Sequence, residues 1–232
     1  MSVQYTDLCE NCRKAESVWK FSKRIFNDCL KRNKIAEAEC QTKVLAILYC
    51  TIAESYYLKI LYTPNSLSES EIQEVKDTTK FHGISKGWEK CLDIALKKCQ
   101  AAPKGSHIPN VKQTVERLIK AYILDPSLIR NKFAHGQWSN ALNSEQTKLN
   151  SEVTTKIQKL DVSEIEKCKY ALTKLAQIMT DILASPNKAH MRDFWKLICE
   201  LEEELDKRRE WTFVSKKEKL KKIPAPLKLR KR

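Results

Sequence analysis

One short segment in the second half of the chain combines side chains that bind phosphate with side chains that transfer protons. Residues 130–136 read RNKFAHG and include Arg130 and His135. The arginine guanidinium is permanently charged, and its planar fork of N–H donors fits phosphate oxygens. Histidine titrates near neutral pH, so it can accept or donate a proton. Together these residue types suit RNA cleavage without a metal, in which one group moves a proton and a cation stabilises the phosphate in the transition state.

The spacing of Arg130 and His135 places them on different sides of a helix. At about 100° per residue, five steps turn roughly 140° around the helix axis, so the two side chains are not neighbours on one face. They can meet at a helix end, or across a dimer in which two such helices come together. His135 stands at the predicted C-terminus of its helix, where the helix dipole favours the protonated imidazole by about 0.3–1 kcal/mol.

The same residues also fit a purely structural interpretation. His135, which precedes Gly136, can cap the helix, and Arg130 can pair with Asp125 or with a more distant carboxylate. Glu54 lies inside a strongly apolar stretch and is a candidate acidic partner behind the site. More often such a residue faces solvent or pairs with a lysine. The residue types and their spacing leave these interpretations open.

The segment resembles the R-x4-6-H signature of the HEPN superfamily. Asn131 fills the polar place that follows the arginine in that signature, and four residues separate Arg130 from His135. HEPN domains are helical bundles, and the signature lies near the start of a late helix or helical turn, with long helices before and after it. The sequence that follows, Gly-Gln-Trp and then a hairpin-like stretch and a further long helix, is similar to some prokaryotic members.

This resemblance implies an activity and an assembly. HEPN ribonucleases are usually dimers whose motifs meet at the interface in one composite site, and they cleave RNA without a metal, typically leaving a 2′,3′-cyclic phosphate. Arg130 would bind and stabilise the phosphate, His135 would be the acid/base or orienting group, and Asn131 would assist positioning. Lys132 could add a phosphate contact, although a solvated surface lysine is the more common case.

The family also implies a biological role and two alternatives. Many members are toxins or act in defence against phage, so an antitoxin or another defence-system protein is an implied partner. One subgroup carries a tyrosine two residues after the histidine, which its nucleotidyltransferase antitoxin modifies; here that position is Gln137, so such silencing is not expected. The alternatives are a non-catalytic HEPN-like module that binds RNA, a nucleotide or a protein, and a helical interaction protein.

Apolar spacing predicts the helices that would position this segment. Residues 12–32 form an amphipathic pattern, and residues 35–62 form the most apolar stretch, expected as a central helix. A short helix is expected after Ser68, with Ser68-x-x-Glu71 as a capping box. Asp125-Pro126 is expected to start the helix of the motif, and Gly136 to end it. Further helices are predicted over about 85–100, 111–124, 161–183 and 188–210.

Residues 137–160 differ in texture from the rest of the chain. Asparagine and serine clusters precede the alternating, β-branched stretch 153–157, which predicts a small β-hairpin. We therefore expect a mainly α fold, a HEPN-like helical bundle with this hairpin after the motif. It forms a single domain over 1–213, followed by a basic, flexible tail over 214–232.

Composition and charge limit the possible functions. The chain has 232 residues and only 4 glycines, which favours helices over an all-β fold with many tight turns. Its net charge is +14, and the tail has nine Lys/Arg against Glu218 alone, a net +8. A basic tail suggests a polyanion such as RNA as partner, although a solvated terminus has the same composition.

The location and cofactors are inferred from what the sequence lacks. The N-terminus does not have the pattern of a signal peptide, and no apolar run reaches the roughly 18 residues of a membrane span, so no membrane contact is expected. The nine cysteines, an odd number, are most simply reduced thiols in a cytoplasm. Cys9-x-x-Cys12 is the one metal-like spacing, and it lacks a second ligand pair, so no metal or other cofactor is predicted.

Overall fold

The computed structural model describes residues 3–101 and 105–222. Within these ranges the chain forms ten α-helices and no β-strand, so the predicted mainly α bundle is confirmed. The helices are α1 (Val3–Lys31), α2 (Ile35–Leu61), α3 (Glu69–His82), α4 (Ile84–Leu96), α5 (His107–Ile119), α6 (Asp125–Ala134), α7 (Ser151–Gln158), α8 (Val162–Ala184), α9 (Ala189–Lys207) and α10 (Phe213–Lys221).

The two longest helices, α1 and α2, pack side by side in opposite directions. Cys12 Sγ donates to the Ser55 carbonyl at 3.2 Å, and Ser22 Oγ donates to Gln41 Oε1, also at 3.2 Å. Helix α2 also contacts α4, α6 and α8, and its buried residues are spread over several of its sides. The central helix predicted for this stretch is therefore confirmed, and it provides the wall against which α6 is placed.

The helix predicted after Ser68 is present as α3, with the expected capping box. The Glu71 N–H donates to Ser68 Oγ at 3.3 Å, and the Ser68 N–H donates to the Glu71 carboxylate at 2.7 Å. These bonds satisfy backbone donors that a helix start leaves without partners. Lys98 reaches the same carboxylate at 2.7 Å, which ties α3 to the turn after α4.

Helices α5 and α6 form one continuous helix, joined by a turn of π-helix over Lys120–Leu124. The prediction that Asp125-Pro126 starts a helix is therefore wrong, and Leu124 and Asp125 both have helical dihedral angles. Pro126 has no N–H for the Tyr122 carbonyl, and its ring would crowd that carbonyl in a regular helix. The wider π turn relieves this crowding, and the Tyr49 hydroxyl of α2 donates to the Tyr122 carbonyl instead.

The predicted β-hairpin over 137–160 is wrong in its second half, which is helix α7. Asn150 caps that helix by accepting from the Val153 N–H at 3.0 Å. Thr154 and Ile157, which lie one helical turn apart, are both buried, so the helical period outweighs the β-branched texture. An isolated antiparallel bridge between Leu142 and Leu149 is the only β pairing in the described part of this stretch.

The segment predicted as a flexible tail over 214–232 begins instead with helix α10; residues 223–232 lie outside the described residues. Thr212 and Ser215 form a capping box at its start, a signal that the basic composition obscured. The Phe213 ring meets Phe26 of α1 edge-on, with 6.3 Å between centroids, and Lys216 pairs with the buried Glu166 of α8. These contacts dock α10 onto α1 and α8.

Helix α2 alone among the described helices is long and apolar enough to cross a membrane by length and composition, with a mean hydropathy of 1.5 over its 18-residue window. Half of that window is buried inside the bundle. The core helix of a soluble protein has the same composition, so this observation does not indicate a membrane span.

A pair of histidines, the half-buried His107 and the buried His190, joins the start of α5 to the start of α9. His190 is 1% exposed, and neither ring nitrogen has a hydrogen-bond partner among the described residues. The His107 ring lies 5.7 Å away between centroids, and its Nε2 is also buried and unpartnered there. Burial, together with the nearby His107, lowers the pKa of His190 to about 4. The His190 imidazole is therefore neutral at neutral pH in the folded chain.

We expect His190 to make the fold acid-sensitive. The unfolded chain binds a proton at this residue below its ordinary pKa of about 6.5, whereas the folded chain does so only near pH 4, so stability falls as the pH drops through this window. The loss amounts to about 3 kcal/mol of unfolding free energy below both pKa values. Urea denaturation at several pH values should show a flatter profile for His190→Phe. The exposed His82, changed to Gln, is the control that keeps the wild-type slope; an unchanged slope in His190→Phe contradicts the assignment.

Tyr49→Phe should destabilise the fold by about 1–3 kcal/mol, because the Tyr122 carbonyl loses the donor that the buried Tyr49 supplies and Pro126 cannot replace it. Chemical denaturation measures this difference. Tyr170→Phe is the matched control, because the Tyr170 hydroxyl makes no hydrogen bond to the described residues. Equal stability of the two variants would show that the Tyr49 hydroxyl does not support the π turn.

Candidate active site

The Arg130 guanidinium is held between α6 and α2. Its Nη2 pairs with the Glu54 carboxylate, and its Nη1 donates to Asn131 Oδ1 at 3.2 Å. The Arg130 and Glu54 side chains remain 31% and 47% exposed. The structure thus brings together three of the residues that the sequence singled out, and leaves the guanidinium accessible from solvent.

A cleft of about 370 Å³ opens beside this group, between α2, the start of α4 and the continuous helix of α5 and α6. Arg130, Asn131, Glu54, Ser127 and His82 supply polar side chains to its wall. Cys50 also lines the cleft; burial raises the pKa of its thiol to about 12 despite the neighbouring Arg130, so the thiol stays protonated. The cleft therefore offers a fixed cation and hydroxyl, amide and imidazole groups, but no thiolate nucleophile.

His82 is a residue of this cleft that sequence reasoning missed. It lies at the end of α3, before Gly83, and is exposed. In the sequence no other histidine stands at a metal-like spacing from His82, so no local pattern marks it as functional. Its position in the wall of the cleft that contains Arg130 depends on the packing of α3 and α4 against the rest of the bundle.

His135 does not line the cleft that contains Arg130. It follows α6 as the capping residue, and its backbone N–H donates to the Asn131 carbonyl at 3.1 Å. The imidazole is exposed and has no hydrogen-bond partner among the described residues. Within one chain, the two residues of the predicted pair are therefore apart. The Arg130 guanidinium is held in the cleft, and the His135 imidazole is exposed at the helix end, five residues further along.

Gly136 ends the helix as predicted. Its φ is +75°, in the left-handed region that glycine adopts without strain. The Gly136 N–H donates to the Phe133 carbonyl at 3.1 Å, and the Gln137 N–H donates to the Lys132 carbonyl at 2.9 Å. This pair of bonds is the Schellman arrangement, and it orients the His135 side chain at the end of α6.

Lys132 and Gln137 hold the loop that follows the motif, a role the sequence did not indicate. Lys132 Nζ donates to the Leu142 carbonyl at 2.6 Å, and Gln137 Oε1 accepts from the Leu142 N–H at 2.8 Å. Lys132 does not line the cleft, so the phosphate contact considered for it has no support in the geometry of one chain. Both residues instead fix the shape of the chain just after His135.

Two exposed leucines of the continuous helix form the open rim of the cleft. Leu124 and Leu128, one turn apart, are 36% and 46% exposed. Large apolar side chains exposed side by side often mark a surface that a partner covers. They lie on the same stretch of helix as Arg130 and Asn131.

Among the residues that the structure describes, no group of three or more His, Cys, Asp or Glu side chains could hold a metal ion. Cys12, from the one metal-like spacing in the sequence, is buried and bonded to Ser55.

Comparison with protein-family models, with curated proteins and with solved structures finds no match to this chain.

Lys132→Met should loosen residues 137–150 while leaving the helices folded. The change removes one hydrogen bond of a charged donor from a partly exposed site, so we expect about 1 kcal/mol of local destabilisation. Hydrogen-exchange mass spectrometry would detect it as faster exchange of the amides in this loop. Lys148→Met, at an exposed position in the same loop, is the matched control; identical exchange in both variants would rule out the anchoring role.

Proposed function

We propose that this protein is a metal-independent endoribonuclease of the HEPN type, a cytoplasmic toxin or anti-phage defence effector. The observation that supports this most directly is the Arg130 guanidinium, fixed by Glu54 and Asn131 at the wall of a cleft yet still exposed. An imidazole, that of His135, stands without a partner further along the same chain segment. These are the side chains that phosphate binding and proton transfer require.

In the proposed reaction the ribose 2′-oxygen attacks the adjacent phosphorus, and the bond from phosphorus to the 5′-oxygen breaks. The products are a 2′,3′-cyclic phosphate and a 5′-hydroxyl. The proton of the 2′-hydroxyl must be taken up, and a proton must be given to the leaving 5′-oxygen; we assign one of these transfers to His135. Arg130 stabilises the charge that develops on the phosphate oxygens, with Asn131 positioning it.

Glu54 has a supporting role in this proposal. A half-exposed ion pair contributes about 0–1 kcal/mol, so a phosphate can displace the carboxylate from Arg130 at little cost. Until RNA binds, Glu54 keeps the guanidinium in one orientation across the cleft. Pre-orientation of this kind lowers the entropy lost when the phosphate is bound.

We further propose that the site is completed by a second copy of the chain. His135 lies outside the cleft of its own chain, and the exposed Leu124 and Leu128 border that cleft. A homodimer that covers these leucines can bring the His135 of one copy to the Arg130 of the other. A separate antitoxin or defence-system protein is a proposed partner on the grounds of the family resemblance alone.

The charge distribution favours RNA as the substrate. The chain carries 43 Lys and Arg against 29 Asp and Glu, and α10 adds its lysines beside α1. Neutralisation of phosphates by such residues releases counterions, so binding should weaken steeply with salt.

A non-catalytic HEPN-like module that binds RNA or protein is the second candidate. One observation favours it: Arg130 is paired with a carboxylate, and His135 is absent from the lining of the same cleft. An arrangement of this kind can bind a phosphate without the proton transfer that cleavage needs.

Arg130→Ala and His135→Ala should each abolish the toxicity of the expressed protein and slow RNA cleavage. We expect losses of about 10²–10³-fold for Arg130→Ala and about 10²–10⁴-fold for His135→Ala, from removing a phosphate-stabilising cation and a proton-transfer group. Cleavage in EDTA followed by sequencing of the RNA ends measures both the rate and the cyclic phosphate product.

The matched control is Arg117→Ala, an exposed arginine of α5 whose partner Glu202 is itself exposed. It should retain wild-type cleavage, and circular dichroism should show that all variants keep the helical fold. Wild-type protein that binds RNA but cleaves none selects the second candidate. A His135→Ala variant that melts earlier and still cleaves RNA at the wild-type rate assigns His135 a structural role.

A further inference from the structure

Trp138 lies immediately beyond the helix end that carries His135. Three residues of extended chain span at most about 11 Å, which bounds the separation of the two Cα atoms. A contact with Phe133, a buried residue of α6, locates the Trp138 ring more narrowly. The two ring centroids are 5.4 Å apart, with 32° between the ring planes. The indole therefore packs beside the last turn of α6.

The loop that carries Trp138 is anchored to two helices. Lys43 of α2 donates from Nζ to the Trp138 carbonyl at 2.7 Å, and Lys132 of α6 reaches the Leu142 carbonyl at 2.6 Å. The Trp138 N–H donates to the Gly136 carbonyl at 3.1 Å. An aromatic side chain held in this way has little freedom to lose on binding, which favours a preformed contact surface.

Three tryptophans of the described residues are exposed, and their rings have different neighbours. The Trp138 side chain is 38% exposed, and its indole N–H has no partner among the described residues. Trp211 has Arg208 and Lys219 over its ring, and Trp195 packs on Phe194 with 4.8 Å between centroids. No cation of the described residues lies over the Trp138 ring, although Lys43 and Lys132 bind the same loop. The ring therefore offers aromatic surface close to positive charge.

We propose that Trp138 is the platform on which an unpaired nucleobase stacks, in an RNA strand that also places a phosphate at the Arg130 site. Stacking on aromatic side chains between cationic groups is the common way in which proteins hold single-stranded nucleic acid. In a duplex both faces of a base are covered by its neighbours, so the platform selects unpaired RNA. The assignment of a phosphate to the Arg130 site rests on the proposed function, whereas the stacking itself can be measured by binding alone.

The test uses an RNA of about 12 nucleotides whose 2′-hydroxyls are methylated, so that it binds but has no nucleophile for cleavage. Fluorescence anisotropy gives its affinity for the full chain, both as a single strand and annealed to its complement. Trp138→Ala should raise the Kd for the single strand by about 5- to 150-fold and leave the duplex Kd unchanged. Trp138→Phe should retain most of the affinity, because it keeps an aromatic face. Trp195→Ala, a tryptophan of similar exposure on α9, should bind as the wild type does.

Three outcomes overturn the inference: no RNA binding by the wild type, an unchanged Kd in Trp138→Ala, or an equal loss for single strand and duplex together with a change in sedimentation. The last of these would assign Trp138 to a contact between copies of the chain. Cleavage of unmodified RNA is scored separately. Trp138-dependent binding without any cleavage would support the stacking platform and refute the proposed nuclease. Cleavage by the wild type together with an unchanged Kd in Trp138→Ala would support the nuclease and refute the platform.

Discussion

A missing hydrogen-bond donor at Pro126 is the constraint on which the rest of the site depends. A proline in mid-helix leaves a carbonyl without its N–H and crowds it, and helices usually end at such a place. Here the Tyr49 hydroxyl donates to the Tyr122 carbonyl, and a π turn makes room for the ring. Because the helix continues, α6 stays packed along α2. That packing brings Arg130 to Glu54, places the cleft between the helices and leaves His135 at the free end.

The ion pair between Arg130 and Glu54 shows why burial matters more than the number of charges at such a site. A fully buried pair would be hard to separate, since each partner would be left in a poor solvent. A pair this exposed fixes the direction of the guanidinium while remaining exchangeable. The two lysines that hold the 137–150 loop act differently, since each binds a backbone carbonyl and so shapes the chain near His135.

Apolar periodicity and capping signals predicted the helices well, whereas the β-branched texture of residues 153–157 and the local effect of Pro126 misled. Apolar periodicity identified the central helix, and Ser68 and Gly136 marked helix ends through bonds made within a few residues. The prediction at Asp125-Pro126 was wrong because the missing proline N–H is replaced by a distant residue. The donor, the Tyr49 hydroxyl, lies 73 positions before its acceptor, the Tyr122 carbonyl. In the same way, Glu54 was considered from the sequence as an acidic partner of the site, but the presence of His82 in the same cleft was not.

The π turn has a further consequence for how the site tolerates changes in chain length. Each residue advances a helix by about 100°, and a π turn contains one residue more than an α turn. Deleting a single residue within 120–124 would rewind this segment to ordinary α-helix and leave the side chains beyond it facing α2, whereas a deletion in an ordinary turn would rotate them by about 100°. The π turn is thus the place where this helix can lose one residue and keep the facing of Arg130, while the ordinary turn over 127–129 cannot.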